Sequence, residues 1–119
     1  MRRVLVVDDD LNILSAIEGA LSDEGLIVQT AANGPRAVDL IERLQPDLLI
    51  LDVTLPTQDS AVVARRMREV RGVNAPVLVI TADGRAAEKA RTLQAYSYLR
   101  KPFDLGKLIA TVMDGLVQP

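Results

Sequence analysis

Residues able to do chemistry follow short apolar runs at four points along this chain. Asp8 and Asp9 come directly after the first run, and Asp52 comes after the third. Thr81 comes after the fourth, and the fifth leads to Lys101. If these runs are parallel strands of one sheet, their carboxyl ends meet at a single edge. The sequence therefore predicts an edge that gathers three carboxylates, a hydroxyl and an ammonium.

Three carboxylates held together repel one another, and burial increases the cost, so a cation or protons must compensate. Mg²⁺ is the natural cation because it prefers oxygen ligands, takes few of them from protein and leaves room for a phosphoryl oxygen. Lys101 and Thr81 would bind the other phosphoryl oxygens. This set suits phosphoryl transfer to a carboxylate, where positioning and charge neutralisation do most of the work.

The composition excludes several kinds of catalytic site. The chain has 119 residues, 49% of them hydrophobic, with a formal net charge of -2, which suits one folded core. It contains no cysteine and no histidine, which excludes disulfides, a thiol nucleophile, a histidine base and the usual zinc ligand sets. The few aromatic residues and the mildly acidic balance predict no direct binding to nucleic acid.

The sequence carries no signal for a membrane or for export. No apolar run approaches the length of a membrane span, and the run after Met1-Arg2-Arg3 is too short for a signal-peptide core. We therefore expect a cytoplasmic protein without a membrane partner. We also expect residues 1–119 to form a single domain, and the sequence leaves open whether an output domain follows Pro119.

Apolar runs alternate with segments of helical period, which predicts an α/β fold with five parallel strands and five flanking helices. The second and fifth runs contain polar residues and are therefore predicted to lie at the edges, since strands buried on both faces are continuously apolar. Right-handed crossovers then favour the doubly wound order 2-1-3-4-5, as in flavodoxin. The predicted strands cover residues 4–7, 26–30, 48–51, 77–80 and 96–99.

Capping residues mark two of the predicted helices. Asn33-Gly34-Pro35 opens the second helix, and Asp104 opens the fifth. The fourth helix, about residues 85–94, has the weakest pattern. The third helix carries four arginines that we expect to form a solvated outer face rather than a nucleic-acid site: Arg65, Arg66, Arg68 and Arg71.

Taken together, four motifs make the chain resemble a response-regulator receiver domain of two-component signalling over essentially its whole length. They are Asp8-Asp9, the sequence Asp-Val-Thr-Leu-Pro from Asp52, Thr81-Ala82 and the sequence Lys-Pro-Phe from Lys101. Each motif alone is weak. All four occur in order, each after the matching predicted strand.

The resemblance implies a role for each acidic residue. Asp52 would be the phosphoacceptor and would ligate Mg²⁺ directly together with Asp9, with Mn²⁺ as an alternative ion. Asp8 would support the ion through water, and the backbone carbonyl of Thr54 would complete the protein ligands.

The same resemblance implies the parts that respond to phosphorylation. Thr81 and Lys101 would hold the phosphoryl group, and the peptide bond after Lys101 would be cis. Thr54 and Asp83 match positions that tune hydrolysis of the phosphoaspartate. Tyr98 matches an aromatic residue that turns inward on activation.

A receiver is a regulatory phosphoacceptor rather than an ordinary enzyme, since it catalyses only its own phosphorylation and dephosphorylation. The resemblance implies that a histidine kinase, a histidine phosphotransfer protein or a small acyl phosphate donates the phosphoryl group. The output partner is not specified by the sequence.

The chain departs from the family pattern at two places. Ser60 stands where a glycine usually follows Asp59, so the turn before the third helix is expected to differ. The stretch from Thr81 to Lys101 is shorter than usual, and Gln94 replaces the glycine that closes the fourth helix. We therefore expect a short or displaced fourth helix that leaves by another route, because glutamine is disfavoured in the left-handed conformation.

Other classes fit less well. A haloacid-dehalogenase-like phosphatase needs a second aspartate two residues after the first, where this chain has Thr54. A flavin or nucleotide binder needs a phosphate loop after the first strand, where the acidic run 8–10 would repel phosphate. A pseudo-receiver, a protein-interaction module not regulated by phosphorylation, stays open as the alternative.

Overall fold

The computed structural model describes residues 2–54 and 57–117, in which strands and helices alternate. The strands are β1 (Arg3–Val7), β2 (Ile27–Ala31), β3 (Leu48–Asp52), β4 (Val77–Thr81) and β5 (Ser97–Arg100). The helices are α1 (Leu11–Ser22), α2 (Gly34–Leu44), α3 (Thr57–Arg71), α4 (Ala86–Thr92) and α5 (Leu105–Val117). Within these residues no helix is both long and apolar enough to cross a membrane.

The strands form one parallel sheet in the order β2-β1-β3-β4-β5, which confirms the predicted topology. All residues of β3 and β4 are buried, whereas the edge strands β2 and β5 include exposed positions. The register pairs Val7 with Leu51, Asp52 with Ile80, and Thr81 with Arg100. The strands therefore end nearly level, and the residues that follow them meet at one edge.

Alternate residues along each strand serve two separate cores. One core packs β-strand side chains such as Val6, Ile50 and Ile80 against α1 and α5. The other packs Val7, Leu51 and Val79, among others, against α2, α3 and α4. Because side chains alternate between the two faces along a strand, the strand also determines on which face of the sheet the next side chain lies.

The predicted caps of α2 and α5 are confirmed. Asn33 Oδ1 accepts a hydrogen bond from the Arg36 N–H at 2.9 Å, and Asp104 Oδ1 accepts one from the Gly106 N–H at 2.6 Å. Each bond satisfies a donor left free in the first helical turn. The second cap, Asp104, lies three residues after Lys101 and fixes the start of α5 close to the site edge.

Helix α4 is short, as predicted, but the expectation of a different exit is wrong. Gln94 adopts the left-handed conformation at φ 56° despite having a side chain. The Ala95 N–H donates to the Ala90 carbonyl at 2.8 Å, and the Gln94 N–H donates to the Arg91 carbonyl at 3.1 Å. These two bonds are those of a Schellman motif, the ending that a glycine usually makes.

Arg68 accounts for the exit of α4 and corrects the expectation that all four arginines of α3 are solvated. Its Nη2 donates to the carbonyls of Leu93 at 2.5 Å and Gln94 at 2.8 Å. Burial lowers the pKa of the guanidinium. Its N–H groups nevertheless supply hydrogen bonds to carbonyls that have no partner within the helix, and its positive charge is favourable at a helix C-terminus. Tertiary contact with α3 therefore stabilises a conformation that glutamine alone would disfavour.

The turn before α3 lies outside the described residues, so the departure expected there stays a prediction. Ser60 itself is within α3 and is buried.

Candidate functional site

Asp8 and Asp9 follow β1 and lie in different environments. The Asp8 side chain is fully buried, and its Oδ1 accepts a hydrogen bond from the Asp10 N–H at 2.9 Å. Asp9 is exposed at the edge. Asp10 caps α1, where its Oδ1 accepts from the N–H of Asn12 at 2.9 Å. The start of α1 thus fixes the turn that holds both acids over the sheet.

Asp52 ends β3, is fully buried and has both carboxylate oxygens engaged. Its Oδ1 accepts from the Thr54 N–H at 2.9 Å. The Thr54 hydroxyl lies 2.8 Å from Oδ1 and 2.7 Å from Oδ2. Thr54 therefore orients the carboxylate with both its backbone and its side chain.

Lys101 joins the two buried carboxylates. Its Nζ lies 2.8 Å from Asp8 Oδ2 and 3.2 Å from Asp52 Oδ2. The backbone N–H of Lys101 donates to the Thr81 carbonyl at 2.8 Å, which continues the strand pairing beyond β5. The Lys101-Pro102 bond is cis, as predicted.

The charges of this cluster are incompletely balanced. Burial raises the pKa of Asp8, the nearby Asp52 raises it further, and Lys101 and the Asp10 N–H partly oppose the shift. Burial alone would lower the pKa of Lys101, but the carboxylates of Asp8 and Asp52 outweigh it and raise the pKa. One ammonium thus serves two buried carboxylates, with the Asp9 carboxylate beside them.

The cluster fits a hard divalent cation. Asp8, Asp9 and Asp52 each offer a carboxylate oxygen, and these oxygens all lie within 4.8 Å of one another. The buried Asp8 Oδ2 lies 2.8 Å from the Lys101 ammonium and has no other hydrogen-bond donor among the described residues. Three carboxylates that share one ammonium are a suitable environment for Mg²⁺ or Mn²⁺.

Thr81 is close in the fold but belongs to the other face of the sheet. Val79 packs into the core on the side of α3 and α4, so the alternation of β4 assigns Thr81 to that side. Asp52 follows Leu51 and shares the face of α1 and α5 with Asp8 and Lys101. The buried Thr81 hydroxyl accepts a hydrogen bond from the Asp83 N–H at 3.1 Å.

Asp83 is tied to α4 by contacts that the sequence did not predict. Its Oδ1 accepts from the Arg85 N–H at 2.9 Å, and its Oδ2 lies 3.1 Å from Lys89 Nζ. These partners lower the pKa of Asp83 to about 2. The spacing of an aspartate and a lysine across a helix start is too common to have marked this pair.

Tyr98, on β5, is 42% exposed.

Comparison with known proteins matches this chain to one family. A family model described as the response regulator receiver domain matches residues 4–113. The response regulator MprA of Mycobacterium sp. (strain KMS) is 40% identical over 110 residues, covering 91% of this chain and 47% of that protein. MprA of Mycobacterium avium (strain 104) is likewise 40% identical, with 48% of its length covered. The chain thus spans about half the length of these curated relatives.

Solved structures give the same result. A putative response regulator from Chloroflexus aurantiacus J-10-fl superposes with a TM-score of 0.87 at 32% identity, covering 98% of both chains. The chemotaxis protein CheY4 of Vibrio cholerae superposes with a TM-score of 0.86 at 28% identity, covering 98% of this chain and 99% of that one. A response regulator receiver protein from Burkholderia phymatum is 35% identical, with a TM-score of 0.84 and coverage of 98% and 95%.

Proposed function

Because this chain belongs to the response regulator receiver family, we propose that it accepts a phosphoryl group on Asp52 and thereby switches an output surface. The donor is a partner histidine kinase, a histidine phosphotransfer protein or a small acyl phosphate. The observation that carries the proposal is the contact of one lysine, Lys101, with two buried carboxylates, Asp8 and Asp52. A pseudo-receiver would not need to retain this costly arrangement, since unpaired buried charge is destabilising.

In the proposed reaction, an Asp52 carboxylate oxygen attacks phosphorus and forms the new P–O bond of an aspartyl phosphate. The bond from phosphorus to the donor's nitrogen or acyl oxygen breaks, and the donor leaves with that electron pair. Thr54 orients the attacking carboxylate through its hydroxyl and backbone N–H. Lys101 moves from balancing the free carboxylates to balancing charge on the transferred group.

Asp9, Asp52 and the Thr54 backbone carbonyl would hold Mg²⁺ directly, and Asp8 would support the ion through water. When bound, the ion neutralises the excess negative charge of the cluster and polarises a phosphoryl oxygen. The carboxylates of the chain thus provide the charge that the ion requires.

Four residues are proposed to act after transfer. The Thr81 hydroxyl would turn to the phosphoryl group, and Tyr98, now partly exposed on β5, would move inward. Thr54 and Asp83 would set the rate at which water hydrolyses the aspartyl phosphate. The output partner would then read the changed surface around α4 and β5.

Intact-mass measurement after incubation with acetyl phosphate and Mg²⁺ tests the acceptor. We expect the wild type to gain one phosphoryl group and Asp52→Asn to gain none. Asp114→Asn, an exposed aspartate on α5, is the matched control and should gain the group normally. An adduct on Asp52→Asn would refute the assignment, as would a wild type that stays unmodified with both acyl phosphate and phosphorylated kinase.

Lys101→Ala separates phosphoryl recognition from metal binding. Because its ammonium would contact phosphate and not the ion, the variant should still bind Mg²⁺ but lose the coupling between phosphorylation and conformational change. Amide NMR spectra with and without the phosphoryl group measure that coupling. Normal switching in Lys101→Ala would show that the role given to this residue is wrong.

A further inference from the structure

Thr81 and Asp52 belong to opposite faces of the sheet, although both end neighbouring strands. Asp52 pairs in register with Ile80, which packs on the side of α1 and α5. Thr81 is the next residue and therefore belongs to the side of α3 and α4. For its hydroxyl to reach a phosphoryl group on Asp52, the Thr81 side chain must turn. That turn removes the acceptor that the Asp83 N–H now uses.

Asp83 cannot follow freely because α4 holds its carboxylate. The Lys89 ammonium lies 3.1 Å from Oδ2, while the Arg85 N–H binds Oδ1 at 2.9 Å and its Nε lies 3.6 Å from the same oxygen. The low pKa of about 2 keeps Asp83 ionised at neutral pH. A chain of contacts thus runs from Lys89 of α4 through Asp83 to the Thr81 hydroxyl.

We propose that Lys89 is a positioning residue that restrains Thr81 through Asp83, so that this ion pair opposes the phosphorylated arrangement of the domain. The inference rests on the proposed function and adds a regulator to that same site. A contact present in only one of two arrangements shifts the equilibrium toward that arrangement by its own free energy. Removing the Lys89 ammonium should therefore favour phosphoryl binding.

The size of the effect follows from exposure. The side chains of Lys89 and Asp83 are 29% and 31% exposed, so the pair is partly screened by solvent. Ion pairs of this kind give about a two- to fivefold change in an equilibrium constant.

Binding of beryllofluoride with Mg²⁺, which imitates a phosphoryl group, provides the test, followed by NMR at the Thr81 and Asp83 amides. We expect Lys89→Met to bind beryllofluoride about two- to fivefold more tightly than the wild type. Lys89→Arg, which keeps the charge, should stay close to the wild type. Affinity for Mg²⁺ alone should not change in either variant, since Lys89 pairs with Asp83 and not with the three carboxylates proposed to surround the ion.

Lys107→Met is the matched control, because it makes the same substitution at an exposed position on α5 and should leave beryllofluoride affinity unchanged. Asp83→Asn should tighten binding as Lys89→Met does, and combining the two should add little, as expected for partners in one contact. Unchanged or weaker binding by Lys89→Met would overturn the restraint while leaving the acceptor assignment intact. If the wild type neither binds beryllofluoride nor accepts phosphoryl groups, the proposed function fails and the restraint fails with it.

Discussion

The two edges of the sheet differ in how completely their polar groups are paired. At the carboxyl edge, where the strands end, Asp8 and Asp52 are fully buried and share the single ammonium of Lys101. At the amino edge, where the strands begin, polar groups are matched with partners. The Arg3 N–H donates to Asp47 Oδ2 at 2.8 Å, and Arg71 pairs with the other oxygen of Asp47 at 3.1 Å.

Helix ends at the amino edge are satisfied in the same manner. Arg3 Nη1 donates to the Leu44 carbonyl at the end of α2 at 2.9 Å, and Arg2 donates to the Leu116 carbonyl in α5. The Tyr96 hydroxyl also has a partner, the Thr111 carbonyl within α5, to which it donates at 2.7 Å. Matched groups add stability, whereas the unmatched charge at the carboxyl edge is available to a ligand. We therefore expect substitutions at the amino edge to alter folding and substitutions at the carboxyl edge to alter binding.

Gly115→Ala should give the largest effect on stability. A Cβ at residue 115 would lie 2.5 Å from the Cζ and hydroxyl of Tyr96 and 2.7 Å from Leu48 Cδ1, too close for a packed core. We expect a loss of about 2 kcal/mol in the free energy of unfolding, measured by urea denaturation, with phosphorylation of the remaining folded protein unchanged. Gly19→Ala is the control, since nothing lies within 4 Å of its added Cβ, and it should stabilise α1 by about 0.5–1 kcal/mol. Equal effects of the two variants would contradict this interpretation of the amino edge.

Tyr96→Phe should cost about 1 kcal/mol at neutral pH because it removes the bond to the Thr111 carbonyl. Burial, helped by the charge of Asp114, raises the pKa of Tyr96 in the folded protein. The folded state therefore keeps the proton more tightly than the unfolded state, whose tyrosine titrates near its usual pKa of about 10. Stability from this group is fully present below about pH 10 and is lost progressively as the pH rises from there toward the higher pKa of the folded protein. Thermal melts should accordingly show the advantage of the wild type over Tyr96→Phe shrinking above about pH 10, and a constant difference would oppose the assignment.

Asp9→Asn, at the carboxyl edge, should raise stability in the absence of ions, whereas Gly115→Ala and Tyr96→Phe at the amino edge should lower it. Without divalent ions, removing one of three crowded carboxylates should raise the free energy of unfolding by about 0.5 kcal/mol. With millimolar Mg²⁺ the wild type should melt at a higher temperature, because the ion binds only the folded state, whereas Asp9→Asn should lose most of that shift. Asp10→Asn, which keeps a side chain able to cap α1, is the matched control and should retain the shift. No Mg²⁺ shift in the wild type would refute the metal assignment.

Gln94→Gly should give a similarly small gain in stability, about 0.5 kcal/mol, because glycine adopts the left-handed conformation at lower cost. The same substitution at Gln29, in strand β2, should instead be destabilising, since glycine weakens a strand. Urea denaturation of both variants checks the difference in sign. A destabilised Gln94→Gly would indicate that the glutamine side chain makes a contribution larger than its backbone cost.

The order of the strands and the gathering of Asp8, Asp52 and Lys101 could be predicted because both depend on local pattern. Buried strands are continuously apolar, and parallel strands bring their following residues to one edge whatever the loops do. The start of α2 was predictable for a similar reason, since Asn33 bonds to an N–H only three residues away.

Contacts between distant segments could not be read in the same way. Arg68 meets carbonyls 25 and 26 residues further along the chain, and nothing in its own neighbourhood distinguishes it from the exposed Arg65. The left-handed Gln94 was missed because local preference disfavours it and the stabilising partner comes from another helix. The face of the sheet on which Thr81 lies could be assigned only from the register of β3 and β4, which the sequence alone does not give.

The contact of Arg68 with the end of α4 also bears on protein engineering. If the surface of α4 were transplanted to another domain as one continuous segment, residues 86–95 would be the obvious choice. Its last turn, however, is completed by a guanidinium from α3. A transplant that keeps its conformation in a new host must therefore carry residue 68 as well, so the smallest portable module is discontinuous in sequence.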